Sequence, residues 1–285
     1  MDITDIAVIG AGTMGHGIAQ VAAQSGYRVR LYDIERQFVD RGLAAIAASL
    51  DKGVERGKLA PEQKAQALQR IQGTVDLRTA AGGAQLVIEA IPEQLPLKEE
   101  LYAKLGPLCP PETIFASNTS SLSIAQLGAA SGRPARFLGM HFFNPVHVMK
   151  LLEIVVSAHT DADTLARCQA LGERLGKDCI VVKDSPGFAT SRLGVCLGLE
   201  AIRMLEEGVA SAADIDKAMT LGYAHPMGPL RLTDLVGLDV RLAIADYLHA
   251  ELKCEVFMAP PLMRSMVAEG KLGRKSGEGF YKWEA

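Results

Sequence analysis

The stretch GMHFFNPVHVMKLLEIV, residues 139–155, holds two side chains suited to moving a proton. Glu153 stands among Leu151, Leu152, Ile154, Val155 and Val156, where a carboxylate is costly to desolvate unless something compensates it. His141 is the available partner. An imidazole titrates near neutrality and has two distinct nitrogens, so it can take a proton on one while a carboxylate on the other fixes its tautomer and steadies the imidazolium. The competing reading is a core histidine bonded to backbone, with Glu153 facing water. These residues alone leave both open.

A second constellation lies near the start. IAVIGAGTMGHGIAQ places Gly10, Gly12 and Gly15 as G-x-G-x-x-G, after a strand-like run and at the opening of a helix, with Thr13 and Met14 inside the loop. Gly10 allows the tight turn, Gly12 lets backbone approach a pyrophosphate, and Gly15 permits close helix–strand packing. The phosphates then sit on the unpaired N–H groups of the helix. The glycines alone are a weak signal. Asp33, closing the second strand, strengthens them, because an acid at that spacing accepts hydrogen bonds from a ribose diol and repels a 2′-phosphate. NAD is therefore expected over NADP. In a nicotinamide oxidoreductase, alcohol oxidation needs a base at the hydroxyl, which suits His141.

The elements that must position these residues alternate. DIAVI (5–9), YRVRLYD (27–33), QLVIEAI (85–91), TIFAS (113–117), RFLGMHFF (136–143), LLEIVV (151–156) and CIVVK (179–183) read as strands. Helical spacing fills most of the intervals, as with Phe38, Leu43, Ile46, Ala47, Leu50 and Val54, and GKLAPEQ turns into a further helix. This predicts a layered α/β sheet, mostly parallel at least in its first half. After DSPGF (184–188) the pattern changes: Leu193, Leu197, Ile202 and Leu205 follow helical spacing and no strand is evident. The expected organisation is a Rossmann-like domain over residues 1–185 and an all-α domain over 186–285.

Length and composition narrow the partners. The chain has 285 residues and a net charge of −3, which argues against a nucleic-acid binder relying on a basic surface. MDITDIAVIG lacks a basic-then-apolar leader, and no apolar run approaches the ~18 residues of a membrane helix. Cys109, Cys168, Cys179, Cys196 and Cys254 are dispersed, without a companion histidine cluster. They read as reduced thiols rather than metal ligands, and the expected location is cytoplasmic.

GAGTMGHGIAQ, VIEAIPE, FASNTSSLSI, GMHFFNPVHVMKLLEIV, DSPGF, HPMGPLRLTDLVGLD and GRKSGEGFYKW occur in that order. Over nearly the whole chain they resemble the L-3-hydroxyacyl-CoA dehydrogenases, particularly the short stand-alone 3-hydroxybutyryl-CoA type. The resemblance implies hydride transfer between NAD and C3 of an acyl-CoA, with His141 as general acid/base, Glu153 holding it, and Ser120 reaching the substrate oxygen and the cofactor. It implies further cofactor contacts at Glu93, Lys98, Asn118, Asn144 and Lys275. Ser49 and Arg56 match positions that hold CoA, with Lys52 and Lys58 nearby. A helical domain that closes the acyl end and supplies a homodimer contact belongs to the same implication. For Lys98 and Lys275 the plainer alternative is a solvated lysine.

One departure stands out. Where the family motif after PGF has asparagine before arginine, this chain reads PGFATSR, with Ser191 before Arg192. A serine hydroxyl is shorter than an amide and donates one hydrogen bond rather than two, which puts thioester contacts and chain-length preference in question. Three rival readings remain: a seryl nucleophile at Ser120 or Ser121, a dehydrogenase of a non-CoA hydroxy acid or sugar acid on the same scaffold, and a cofactor-binding protein without turnover. Fatty-acid oxidation, butanoate or polyester metabolism and aromatic-acid breakdown would all use the same chemistry.

Overall fold

Strand β1 (Asp5–Ile9) is buried from its second residue onward, as an apolar run must be when covered on both faces. Around it a computed structural model, describing residues 3–284, divides the chain into two units, Met1–Asp184 and Ser185–Ala285.

The first unit is built on an eight-stranded sheet. Its strands are β1, β2 (Arg28–Tyr32), β3 (Ile71–Thr74), β4 (Leu86–Glu89), β5 (Ile114–Ser117), β6 (Phe137–Phe142), β7 (Leu151–Val156) and β8 (Asp178–Lys183), in the order β3-β2-β1-β4-β5-β6-β7-β8. Strands β3 to β6 pair in parallel, β6 and β7 are antiparallel, and β7 and β8 are parallel again. The winding reverses between β1 and β4, the point where doubly wound sheets open a crevice at their carboxyl ends. Helix α1 (Thr13–Gln24) packs on that edge, with Ile18, Ala19, Val21 and Ala22 in the core. Then come α2 (Arg36–Glu55), α3 (Pro61–Gln69), α4 (Leu77–Ala81), α5 (Leu95–Leu105), α6 (Ile124–Ala130) and α7 (Ala162–Arg174).

The helix starts differ in a telling way. Asp76, Ser123 and Asp161 open α4, α6 and α7 and accept N–H groups of their first turns. Helix α1 opens on Gly12, which has no side chain to offer, so its first-turn N–H groups carry no side-chain cap.

The second unit is helical: α8 (Thr190–Glu206), α9 (Ala212–Gly222), α10 (Pro229–Val236), α11 (Leu238–Leu252) and α12 (Pro261–Ala268). Its core gathers Val195, Leu199, Ile202, Ile215, Leu230, Leu248 and Met263. Two buried acids tie the C-terminal tail to it. Asp234 accepts Phe280 N, Tyr281 N and Trp283 Nε1, each at 2.9 Å. Asp216 accepts Leu230 N (2.8 Å) and Arg231 N (2.9 Å) at the start of α10, and the Tyr281 hydroxyl at 2.7 Å. The glycines of the tail are therefore structural. A Cβ on Gly279 would stand 2.2 Å from Asp234 Oδ1.

The expected architecture, a Rossmann-like sheet followed by a helical unit, holds. Strand β3 has no counterpart in the sequence reading. IQGT is short, and Gly73 interrupts its apolar pattern, yet Gly73 is dictated by packing, since a Cβ there would come within 2.5 Å of Val39 Cγ1.

Candidate functional site

The glycine loop leads from β1 into α1. Gly10 takes φ +103°, donates to Tyr32 O at 2.8 Å, and could not carry a side chain, because a Cβ would fall 2.6 Å from Ala90 O. Gly15 is tighter still, its would-be Cβ only 1.7 Å from Gly10 O. Gly12 is different: a Cβ there meets nothing within 4 Å. Protein packing explains the first two glycines. The third borders open space at an uncapped helix start, the cradle a pyrophosphate requires.

Asp33 closes this loop from β2. Its Oδ2 accepts Ala11 N at 2.8 Å and its Oδ1 accepts Ile34 N at 2.7 Å. The carboxylate is thus fixed, and each oxygen keeps lone-pair capacity for a diol. Gly10, Gly12, Thr13, Met14 and Asp33 line one cavity of about 580 Å³, together with Tyr32, whose phenol is pushed up by burial and then by the Asp33 charge. NAD fits what these residues offer: free amide donors, a glycine without neighbours, and an anchored acid.

A second cavity, about 340 Å³, shares Met14, Ala90 and Ile91 with the first. It is lined by His141, Ser120, Asn118, Glu93 and Asn144, residues that the sequence reading drew from three separate stretches. The antiparallel register sets His141 directly across from Glu153. His141 Nδ1 lies 2.7 Å from Glu153 Oε2, and Glu153 is fully buried. That disposes of the water-facing reading. The carboxylate bond on Nδ1 fixes the orientation of the ring. Phe143 packs against the imidazole, ring centroids 4.4 Å apart.

The loop after β5 supplies the polar wall. Asn118 Oδ1 accepts Phe142 N at 2.9 Å, so Asn118 orders the strand end beside His141. Glu93 Oε1 accepts Ser120 N at 2.8 Å and lies 3.3 Å from its hydroxyl. Lys98 is not a solvated lysine: it is 1% exposed on α5, 2.5 Å from Glu89 Oε1 and 3.2 Å from Glu93 Oε2. Glu89, Thr119 and Tyr102, which the sequence reading did not single out, belong to this network. Burial, reinforced by the Glu89 charge, pushes the Tyr102 phenol well up, so it remains a neutral donor to Ala116 O at 3.1 Å.

A third cavity of about 300 Å³ borders Gly12, His16 and Arg41 on the other flank of the loop, reaching Gly42 and Ala45 of α2. Ser49 lies one turn beyond Ala45 on the same helix, and its buried hydroxyl has no hydrogen-bond partner. Arg56 caps α2 and is exposed, as are Lys52 and Lys58. In the second unit, Lys275 pairs with Asp239 at 2.6 Å and Ser191 lies half-buried in the first turn of α8.

Residues 5–185 match the family model described as the 3-hydroxyacyl-CoA dehydrogenase NAD binding domain, and residues 187–283 match the 3-hydroxyacyl-CoA dehydrogenase C-terminal domain. The chain is 49% identical to a probable 3-hydroxybutyryl-CoA dehydrogenase of Deinococcus radiodurans, over 97% of this chain and 99% of that protein. It is 41% identical to the 3-hydroxyadipyl-CoA dehydrogenase of Escherichia coli, over all of this chain and 60% of that one. Among solved structures, the (S)-3-hydroxybutyryl-CoA dehydrogenase of Ralstonia eutropha superposes with a TM-score of 0.96 at 43% identity, covering 100% of both chains.

Proposed function

The chain belongs to the 3-hydroxyacyl-CoA dehydrogenase family and is an NAD-dependent enzyme; from that premise we propose that it interconverts (S)-3-hydroxybutyryl-CoA and acetoacetyl-CoA, with His141 as the acid/base. The observation that carries this reading is the 2.7 Å His141–Glu153 bond in a cavity that shares walls with the glycine-loop cavity.

The family resemblance suggests the roles, and the geometry of the two cavities supports those of the residues that line them. In the oxidative direction His141 Nε2 takes the C3 hydroxyl proton, and Glu153 stabilises the imidazolium through Nδ1. Ser120 orients the substrate oxygen, with Glu93 fixing the loop that carries it. Bound NAD supplies the acceptor for the hydride leaving C3. No seryl adduct is needed. Gly10, Gly12, Thr13, Met14 and Gly15 receive the pyrophosphate, Asp33 the ribose, and Glu93, Asn118 and Asn144 the nicotinamide side. Ser49, with its unsatisfied hydroxyl, and Arg56 hold CoA.

Exposed Leu193, Leu221 and Tyr223 in the helical unit support a homodimer formed through it, which light scattering on the purified protein tests. Five free thiols support a reducing, cytoplasmic setting.

The decisive assay is NADH oxidation with acetoacetyl-CoA, comparing wild type with His141→Ala and with free acetoacetate as substrate. Turnover that requires CoA and collapses in the variant is the expected result. Equal rates on free acetoacetate would move the reading to a non-CoA hydroxy-acid dehydrogenase on the same scaffold. A 3-oxoadipyl-CoA arm reads the acyl preference.

A further inference from the structure

What fixes Glu93 and Ser120 in the wall of the His141 cavity is a chain of charges that runs back into the sheet. Glu93 gives Oε1 to the Ser120 loop, while its Oε2 lies 3.2 Å from Lys98 Nζ. Lys98 reaches past it to Glu89 Oε1 at 2.5 Å. Glu89, wholly buried at the end of β4, also accepts Ile91 N (2.8 Å) and the Ser117 hydroxyl (2.6 Å). One ammonium is thus shared between two carboxylates, one inside the sheet and one on the cavity wall.

We propose that Glu89 is a positioning residue for the reaction. By holding Lys98 from within the sheet, it limits the pull of Lys98 on Glu93 and leaves Glu93 Oε1 to the Ser120 amide and hydroxyl. This deepens the hydride-transfer reading of the site and rests on it.

The electrostatics decide the direction of the effect. With Glu89 ionised, the Lys98 charge is compensated mainly from behind, at 2.5 Å against 3.2 Å. The third Lys98 donor goes to Ile91 O at 3.3 Å, so the ammonium has little further capacity. If Glu89 is neutralised, Glu93 becomes the only carboxylate left to the buried cation. In low dielectric that pair tightens, and Glu93 is drawn off the Ser120 loop. Glutamine suits the test. Its carbonyl oxygen can accept from Ile91 N and Lys98, and its amide can donate to Ser117 Oγ, so shape and hydrogen bonds persist while the charge goes. The same contacts place Glu89 beneath Ile91, which lines both cavities, so misplacement reaches cofactor and substrate together.

The experiment is a double-mutant cycle of Glu89→Gln and Glu93→Gln, reading kcat, KM for acetoacetyl-CoA, NADH affinity by fluorescence without substrate, and the melting temperature. Glu89→Gln is expected to lose about tenfold to a hundredfold in kcat, as small misplacements of oriented groups do. The double variant is expected to lose no more than Glu93→Gln alone. A Glu89→Gln variant within about twofold of wild type, or losses that multiply in the double, would overturn the proposal. Should Glu89→Gln not fold, Glu89→Gln/Lys98→Met removes both charges of the buried pair, so that neither is left without its counter-charge. Adding Glu93→Gln to it must then leave kcat at the Glu93→Gln level, and a further multiplicative loss sinks the idea. If wild type shows no CoA-dependent turnover, the functional reading fails, while the NADH-affinity arm of the cycle still reports the coupling.

Discussion

Four carboxylates are buried among the described residues, two in each unit, and they are put to different uses. In the sheet unit, Glu153 and Glu89 are met by ionisable side chains, His141 and Lys98, on the way to a cavity. In the helical unit, Asp216 and Asp234 are met chiefly by backbone N–H groups of a helix start and of the tail. Burial of charge therefore does not mark a site by itself. A carboxylate satisfied by amides stabilises a chain path, whereas one satisfied by another titratable group can change what that group does with a proton.

Substitutions can break this division. His141→Ala should lower kcat by about 10²- to 10⁴-fold, the span of a lost general base, in a steady-state acetoacetyl-CoA assay. Glu153→Gln should cost about 10²-fold in kcat, because the shape is kept but the imidazolium loses its counter-charge. Its melting temperature should stay within a few degrees of wild type. Asp234→Asn should behave in the opposite way. An amide cannot accept on both atoms, so one of three donors is orphaned, at about 1–3 kcal/mol of stability. Calorimetry should show that loss while KM for acetoacetyl-CoA is unchanged below the transition. A kcat loss for Asp234→Asn as large as that for Glu153→Gln would erase the distinction.

A half-buried acid with an exposed partner supplies the baseline. The Arg28 hydrogen bond holds the Asp5 carboxyl below its ordinary range. A depressed carboxylate adds stability above its unfolded pKa and loses it as pH falls through its folded pKa. Arg28→Ala should therefore lower the melting temperature slightly at pH 7, with the difference from wild type vanishing below the carboxylate range. This is the smallest of the four effects, since the guanidinium is exposed.

Much of this was legible in the sequence because it rests on periodicity and on exceptions to it. Glu153 was conspicuous as an acid within an apolar run. Glu89 carries the same signature within QLVIEAI, and the same rule applied twice would have found it. Lys98 entered only through the resemblance, as a cofactor contact, and spacing could not show its burial: a lysine on a helix looks solvated until Glu89 is known to sit behind it. Nor does spacing separate glycines forced by packing, such as Gly10 and Gly15, from Gly12, which faces open space. Strand β3 was missed because an edge strand of four residues containing Gly73 has too little pattern to register.

The register of β6 against β7 has a consequence for how the chain checks its own folding. Met140, His141 and Phe142 stand opposite Ile154, Glu153 and Leu152. A slip of one residue would set His141 against Leu152 or Ile154 and turn Glu153 to the other face. The misaligned hairpin would lose its His141–Glu153 bond and bury a lone carboxylate, a penalty of several kcal/mol. Molecules that closed wrongly would thus be unstable, and open to removal by proteolysis. The bond between His141 and Glu153 also proofreads the sheet.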